Sequence, residues 1–433
     1  MKSFVRGALL ASACLAATPA MAQDQDARID ALIAEIEALK AEVAELKGDV
    51  AEAKSANAVA WKGAPQLEQK KEGWSFKPRG RLMYDVATVD APDAIDDAGL
   101  GFSNELRRGR LGVEGDIPGG FGYKLELDFA PGEPEFTDAY LSYEDGGLEV
   151  IVGQHNNFQS LEELTSSLHT SFIERAAFTD AFGFERRVGA SVQYKAGDLI
   201  AQAGLFTDSI GDLNGIGDEN NSRGADGRIV FAPKMGANQL HFGGSIHTRK
   251  LGDAISGVRY RQRPAVHSTD TRFIDTGSLG ATSETGYGLE AAGIFGRFHV
   301  AGESYWQQVS RPEMDDPTFF GAYAEAGFFL TKGDTRGYKG GKFDRVKPAS
   351  PVGEGGFGSL QLNARWDHLD LNDAGVVGGT QNAYQLSLNW KPVDYVLFGL
   401  NYAHIEYDDA AILADGEGSY GVDMIGLRSQ VDF

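Results

Sequence analysis

The chain has 433 residues, 24% of them charged, and its formal net charge at pH 7 is −22. This acidic balance argues against a nucleic-acid-binding protein, which needs a basic surface. No apolar run of about 18 residues follows the N-terminal segment, so a transmembrane helix is excluded there. Membrane-spanning strands stay open as an alternative, because they hide their apolar residues by alternation.

The N-terminal segment, residues 1–22, has the pattern of a cleaved signal peptide. Lys2 and Arg6 form its basic start, Ala8–Ala17 its apolar core, and Ala20–Ala22 a small-x-small cleavage site. The single cysteine, Cys14, would leave with this segment. A mature chain without thiols suits an envelope compartment.

Residues 27–54 predict an α-helical coiled coil, because apolar residues recur in four heptads. The a and d positions alternate as Ile29, Leu32, Ile36, Leu39, Val43, Leu46, Val50 and Ala53. A lone amphipathic helix fits less well, because the apolar stripe is narrow. The segment therefore predicts an oligomer, and residues 55–72 predict a polar linker behind it.

From residue 73 to 433 the chain reads as short alternating strands joined by turns. In the hairpin Ser103–Phe129, apolar Tyr123, Leu125 and Leu127 alternate with charged residues, and Pro118-Gly119-Gly120 forms the turn. Short turns alternate with long polar loops, as in outer-membrane barrels. A soluble sandwich also alternates, but these features together favour an all-β transmembrane barrel. At roughly 22 residues per strand and connection, the length gives about 16 antiparallel strands, enough to leave a water channel.

The order of several motifs resembles the phosphate-selective porin O and P family of Gram-negative outer membranes. The resemblance covers Gly73 to Phe433 and rests on sequence pieces that follow each other along the chain. These are Gly80–Leu82, Glu105–Gly112, Phe136–Leu141, Gly153-Gln154, Ser160–Ser166, Phe172–Arg175, Asp180–Phe182, Arg186–Gly189 and Leu360–Asp373.

The resemblance implies a homotrimer of 16-stranded barrels in the outer membrane, with the coiled coil in the periplasm. It implies a loop, about Asn156 to Glu185, that folds into the lumen. It further implies passive passage of inorganic anions, phosphate or polyphosphate among them, with membrane lipid as the other partner. We expect no cofactor, no metal and no catalysis. One conflict remains, because β-branched a positions with Leu at d favour two-stranded rather than three-stranded coiled coils.

Arginines are the candidate pore-lining, anion-binding residues, because guanidinium groups stay charged and match phosphate oxygens with a fork of donors. Several weak sites in a row also let an anion leave again. Alternation predicts that five of them point inward: Arg79, Arg81, Arg108, Arg110 and Arg187. Arg107 points outward by alternation unless a bulge intervenes, although the resemblance implies a place in the pore.

Four more candidates lie later in the chain. Arg175 lies in the predicted inward loop. Arg259, Arg261 and Arg263 form a basic stripe on one face of a predicted strand, and Arg249 and Arg272 are weaker members. The alternative for each arginine is an ion pair with a wall carboxylate such as Glu114, Glu126, Asp128 or Asp138.

The predicted inward loop departs from the phosphate-selective pattern. Where selective relatives carry a lysine, this chain reads Ser166-Ser167-Leu168-His169-Thr170, and Glu162, Glu163, Glu174 and Asp180 lie nearby. The departure keeps two alternatives open. One is a general small-solute porin, and the other is an envelope tether that acts through the coiled coil.

Overall fold

The computed structural model describes residues 30–47, 57–61, 63–69, 72–130, 132–213, 222–253, 255 and 257–433. The chain divides into two compact units, Met1–Ala58 and Val59–Phe433. The predicted signal peptide and both ends of the predicted coiled coil lie outside the described residues. None of the described helices is long and apolar enough to cross a membrane.

In the first unit, residues 30–47 form helix α1. Its predicted a and d residues are all exposed; Leu39, for example, keeps 53% of its surface. The helix is confirmed over this range, and the coiled coil stays a prediction.

The second unit is a closed antiparallel barrel of sixteen strands, which confirms the predicted strand number. Each strand pairs with the next barrel strand along the chain, and the last pairs with the first. The barrel strands are β3 (Trp74–Asp90), β4 (Gly101–Ile117), β5 (Phe121–Asp128), β6 (Glu135–Asp145), β7 (Leu148–Asn156), β8 (Arg186–Ala196), β9 (Leu199–Phe206), β10 (Arg223–Phe231), β12 (Asn238–Lys250), β15 (Ser283–Phe295), β16 (Phe298–Ser310), β17 (Thr318–Phe329), β20 (Ser359–Asp373), β21 (Val376–Val393), β22 (Val396–Asp408) and β23 (Tyr420–Asp432). The short strands are β1 (Asn57–Trp61), β2 (Pro65–Gln69), β11 (Lys234–Met235), β13 (Arg261–Gln262), β14 (Ile274–Asp275), β18 (Gly337–Lys339) and β19 (Lys342–Asp344).

The predicted linker contains two of these short strands. β2 pairs with the first barrel strand, with Leu67 opposite Phe76. Residues 55–72 are therefore partly ordered as sheet, where polarity alone predicted only a connection.

Strand alternation places apolar side chains outside and polar ones inside. Leu400 and Leu427 are exposed on the outer face, whereas Asn401 and Arg428 are buried on the inner face. A soluble sandwich would bury the apolar face instead. The barrel closes at Gly80, whose backbone exchanges hydrogen bonds of 3.1 and 3.0 Å with that of Phe433.

Connections are mostly short at one end of the barrel and long at the other. Residues 118–120, 146–147, 197–198, 296–297 and 394–395 make the short turns. Two connections break the expected asymmetry. Residues 374–375 make a short turn at the loop end, and residues 330–358 make a long one at the turn end.

The apolar core lies inside the barrel, on one side of the lumen. The inward loop (residues 157–185) carries helices α2 (Leu161–Leu164) and α3 (Ala177–Ala181) and begins where the sequence predicted. Its Phe178 stacks on Tyr305 of β16, with 5.8 Å between ring centroids. The second loop (residues 251–282) adds residues such as Phe273 to the same core. Because this core lines β15–β17, β20–β23 and the end of β3, the polar space lies along β4–β8.

Candidate functional site in the lumen

The polar side of the lumen holds a cavity of about 320 Å³ between the inward loop, the second loop and the wall. Cationic and acidic side chains line it in equal numbers. The cations are Arg107, Arg108, Arg175, Arg186 and Arg263, and the acids are Glu135, Glu163, Glu174, Asp180 and Glu185. The ion preference of the channel therefore depends on which of these charged side chains lack an ion-pair partner.

Arg107 enters the lumen through a β-bulge. Along the β3–β4 ladder, Met83 opposes Arg108 and Tyr84 opposes Leu106, so Arg107 is left without a strand partner. Its guanidinium group makes a forked pair with Glu174 of the inward loop, at 2.8 and 3.1 Å. Alternation along the strand predicted that Arg107 would point inward only if a bulge intervened, and the structure contains that bulge.

Arg108 is a buried cation with no carboxylate partner among the described residues. It is 7% exposed, and its Nη1 atom lies 3.8 Å from the Met83 sulfur. Nearby, Arg428 pairs with Asp85 at 2.7 and 2.6 Å and reaches Glu174 at 3.3 Å. Arg107 and Arg428 thus hold the carboxylates of this cluster, and Arg108 is left without an ion pair among the described residues.

Glu174 is held in its ionised form by this cluster. Burial alone would raise its pKa, but Arg107 and Arg428 outweigh burial and hold the pKa well below its ordinary value. The carboxylate therefore stays available to Arg107 and Arg428 at any physiological pH.

Arg81 is the second cation of this wall without a carboxylate partner in the described chain. Its Nη1 atom donates to the Ser167 hydroxyl of the inward loop at 2.7 Å. Its cross-strand neighbour Arg110 differs, because Arg110 pairs with Asp128 at 2.7 Å and with Glu126 at 3.2 Å. Arg79 pairs with Glu114.

Two predicted arginines hold loops in place. Arg175 donates to the carbonyl oxygens of Glu162, Glu163 and Thr165 at 3.0, 3.1 and 2.8 Å. It also pairs with the Glu163 carboxylate at 3.4 Å. Arg187 pairs with carboxylates of the two flanking connections, Glu185 at 2.8 Å and Asp208 at 3.4 Å.

The predicted stripe of Arg259, Arg261 and Arg263 does not lie on one barrel strand. It lies in the second loop, where Arg261 alone belongs to the two-residue strand β13. Arg259 is exposed and pairs with Asp275. Local turn formation in this long connection interrupts the alternation that a continuous strand would keep.

Within this loop, Arg263 pairs with Asp270 at 3.4 Å and Asp180 at 3.7 Å. Arg261 has no ion pair among the described residues, and Arg272 likewise has none there. Burial, together with the nearby Arg263 and Arg261, lowers the pKa of Arg272 to about 10. These unpaired arginines lie at the loop end of the lumen.

The model of the family described as phosphate-selective porin O and P matches residues 76–433. The chain belongs to this family. It is therefore a porin of the outer membrane. The porin is 50% identical over 382 residues to an uncharacterised protein of Caulobacter vibrioides, a match that covers 87% of this chain and 77% of the relative.

Solved porins share the fold at low identity. An anion-selective porin from Comamonas acidovorans superposes with a TM-score of 0.53 and 14% identity, covering 83% of this chain and all of that one. The trimer form of OmpT from Vibrio cholerae superposes with a TM-score of 0.52 and 10% identity, again over 83% of this chain and all of that one. At these identities the likeness establishes the barrel architecture.

The structure adds cations to the porin lumen that the sequence analysis missed. Lys124 and Arg186 both pair with Asp138. Alternation could have identified Lys124, which shares a face with Glu126. Lys342 lies in the connection 330–358, where no alternating sequence pattern predicts the direction of the side chains. Lys342 is solvent-exposed, but the protein that surrounds it and the nearby Lys124 and Arg228 lower its pKa.

Proposed function

We propose that this porin is a passive channel with a modest preference for small anions, inorganic phosphate among them. The observation that carries the proposal is the pair Arg81 and Arg108. Both lie where the inward loop meets the wall, and neither has a carboxylate partner in the described chain. An uncompensated guanidinium group beside water attracts anions and repels cations.

Three further cations without an ion pair in the described chain would extend this attraction along the lumen. Arg261 and Arg272 belong to the second loop, and Lys342 belongs to the connection at the turn end. Cations at both ends and at the constriction would give an anion several weak sites rather than one strong site. Permeation would be diffusion down a gradient, without a covalent step.

The preference is expected to be modest because most predicted arginines already hold a carboxylate. Arg79, Arg107, Arg110, Arg175, Arg187, Arg259 and Arg263 each form an ion pair. Paired groups add little net field to the path. Beside Arg81, Ser167 supplies a hydroxyl group that suits a phosphate oxygen.

The test is the reversal potential of the purified porin in a planar bilayer under a salt gradient. The wild type should favour anions, and Arg81→Gln with Arg108→Gln should reduce that preference several-fold. Arg297→Gln is the matched control, because its guanidinium group stacks on Phe328 at 4.8 Å near a short turn.

Added phosphate should reduce chloride current in the wild type more than in the double variant. Cation selectivity in the wild type would refute the anion preference. Anion selectivity without a response to phosphate would show that the protein is a general small-anion porin and that phosphate is not a preferred solute.

We also propose that the porin is a homotrimer with a coiled coil built from α1. The OmpT relative is described in a trimer form, and the exposed apolar stripe of α1 would be covered by neighbouring copies. That stripe equally supports the second candidate function, an envelope tether. Removal of the helix separates the two functions, because a porin should keep its conductance whereas a tether should lose its effect on the cell envelope.

A further inference from the structure

A small cavity, separate from the mixed-charge cavity, lies where two inserted segments meet the wall. The tip of the inward loop contributes Leu168–Thr170, the connection 330–358 contributes Arg336 and Val346, and strands β20 and β21 contribute Ser359 and Lys391. Its volume is about 10 Å³. That is room for about one water-sized particle.

The polar groups around this cavity are incompletely paired. Arg336 is 5% exposed and donates Nη2 to the His169 carbonyl oxygen, but its Nε atom has no partner in the described chain. The Ser359 hydroxyl and the Nδ1 atom of His169 are also buried there without partners. Three buried polar atoms without hydrogen-bond partners thus belong to residues that line this cavity.

Lys391 adds a second buried cation. It is 6% exposed and lies opposite Ser359 in the β20–β21 register. No ion pair connects it to a described carboxylate. Two buried positive charges at one cavity are unfavourable unless an anion compensates them.

The carboxylates near the two cations hold other partners. Asp432 pairs with Arg345. Glu325 and Glu162 attract Arg336 but form their ion pairs with Arg365. Asp344 lies 3.6 Å from the Nε2 atom of His169, on the other edge of that ring from Nδ1, and its side chain is 45% exposed. No acidic residue belongs to the described lining of the cavity.

We infer that this cavity holds one monatomic halide, chloride under ordinary conditions. Arg336 Nε and the Ser359 hydroxyl would donate to it, and Lys391 would balance its charge. The small volume favours a monatomic ion over phosphate. The bound halide would join the inward-loop tip, the connection 330–358 and the wall, so it would be structural rather than permeating. This inference does not depend on the proposed anion preference of the channel.

The first test locates the ion. Crystals of the full porin grown in sodium bromide should give an anomalous difference peak in contact with Arg336, Ser359 and Lys391. Bromide peaks elsewhere in the protein, with none in this cavity, would overturn the inference and leave the space to water.

The second test measures the effect of the ion on stability. The melting temperature of the purified porin should be higher by about 2 °C or more in chloride than in gluconate at equal ionic strength. Lys391→Gln should abolish this difference. Lys347→Gln, which neutralises an exposed lysine of the same connection, should preserve it.

Equal melting temperatures of the wild type in both salts would contradict a structural ion. An undiminished chloride effect in Lys391→Gln would place the responsible ion elsewhere. Should Lys391→Gln fail to fold, the bromide map of the wild type still decides the question.

Discussion

Two arginines on strand β4 differ in charge pairing although they lie two residues apart. Arg110 holds Asp128 and Glu126, whereas Arg108 holds no described carboxylate. We therefore expect Arg110→Gln to destabilise the porin by about 3 kcal/mol, because two buried carboxylates lose their partner. Arg108→Gln should leave stability unchanged or raise it, because a buried uncompensated charge is removed. Urea unfolding in lipid vesicles measures both effects.

The double variant Arg110→Gln with Asp128→Asn is the control, because it removes the excess negative charge. It should recover much of the lost stability. Ion selectivity gives a second readout. Arg110→Gln should shift the reversal potential toward cation selectivity, because Asp128 and Glu126 lose the positive charge that balances them. Equal stability losses in Arg108→Gln and Arg110→Gln would contradict the assignment of pairs.

The lowered pKa of Lys342 predicts that the anion selectivity of the channel depends on pH. The surrounding protein and the repulsion of Lys124 and Arg228 lower its pKa although the side chain is exposed, while Glu149 and Asp138 act in the opposite direction. Since its pKa is depressed, Lys342 loses its charge at a lower pH than an ordinary lysine. Anion preference should therefore fall as the pH rises from 7 toward 10, and reversal potentials measured across this range report it.

Lys342→Arg is the matched control, because a guanidinium group keeps its charge to a higher pH than an ammonium group does. The variant should lose less anion preference between pH 7 and 10 than the wild type, since Arg272 titrates near the top of this range in both proteins. A wild-type preference that does not change between pH 7 and 10 would show that Lys342 contributes no field to the path.

At the scale of the structural element, Arg175 stabilises the conformation of the inward loop. Its guanidinium group binds three backbone carbonyl oxygens of that loop, and its charge already faces Glu163. Arg175→Gln should loosen the loop, so single-channel currents should become larger or fluctuate more. The reversal potential should change little.

Arg175→Lys distinguishes position from charge, because lysine keeps the charge without the forked donors. It should resemble Arg175→Gln in its current fluctuations. Steady currents combined with a loss of anion preference in Arg175→Gln would make Arg175 an anion-binding residue rather than a clamp of the loop.

The strands were predictable because period-two alternation is a local property of the chain. It predicted the inward faces of Arg81, Arg108 and Arg110, and the length of the alternating region predicted the number of strands. Alternation could not locate the bulge at Arg107, since a bulge depends on the register of two strands. Nor could it show that the connection 330–358 at the turn end carries β18 and β19.

The site was less predictable than the fold, because ion pairs join residues far apart in sequence. Arg428 meets Asp85 across the closing seam, 343 positions away. Arg365 meets Glu162 of the inward loop across the lumen, at 2.7 Å. Such pairs depend on the assembled barrel, so a list of inward arginines overstates the free positive charge.

At the scale of the whole molecule, the closing seam packs the last side chain against a glycine. A Cβ atom on Gly80 would lie 1.9 Å from the Phe433 ring. Gly80→Ala should therefore displace the half-exposed Phe433 ring and cost about 1 kcal/mol, at the low end of overpacking effects, because the tip of the ring can move. Gly227→Ala is the control, because its added atom would make an ordinary contact of 3.5 Å with Ile246. Urea unfolding of both variants measures the cost, and equal stabilities would show that the seam tolerates a side chain.

The N-terminal helix and the barrel are separate compact units, so their functions can be separated by deletion. Removing residues 27–54 should leave single-channel conductance and reversal potential within error of the wild type, because the unpaired lumen cations found among the described residues belong to the barrel unit. Leu39→Asp, which places a charge at a d position, tests association of the helices without shortening the chain. Unchanged currents with a weakened cell envelope in both variants would assign tethering to the helix in addition to permeation through the barrel. Loss of conductance in both variants would instead mean that the barrel assembles only when the helices associate, and the oligomer would then be part of the channel itself.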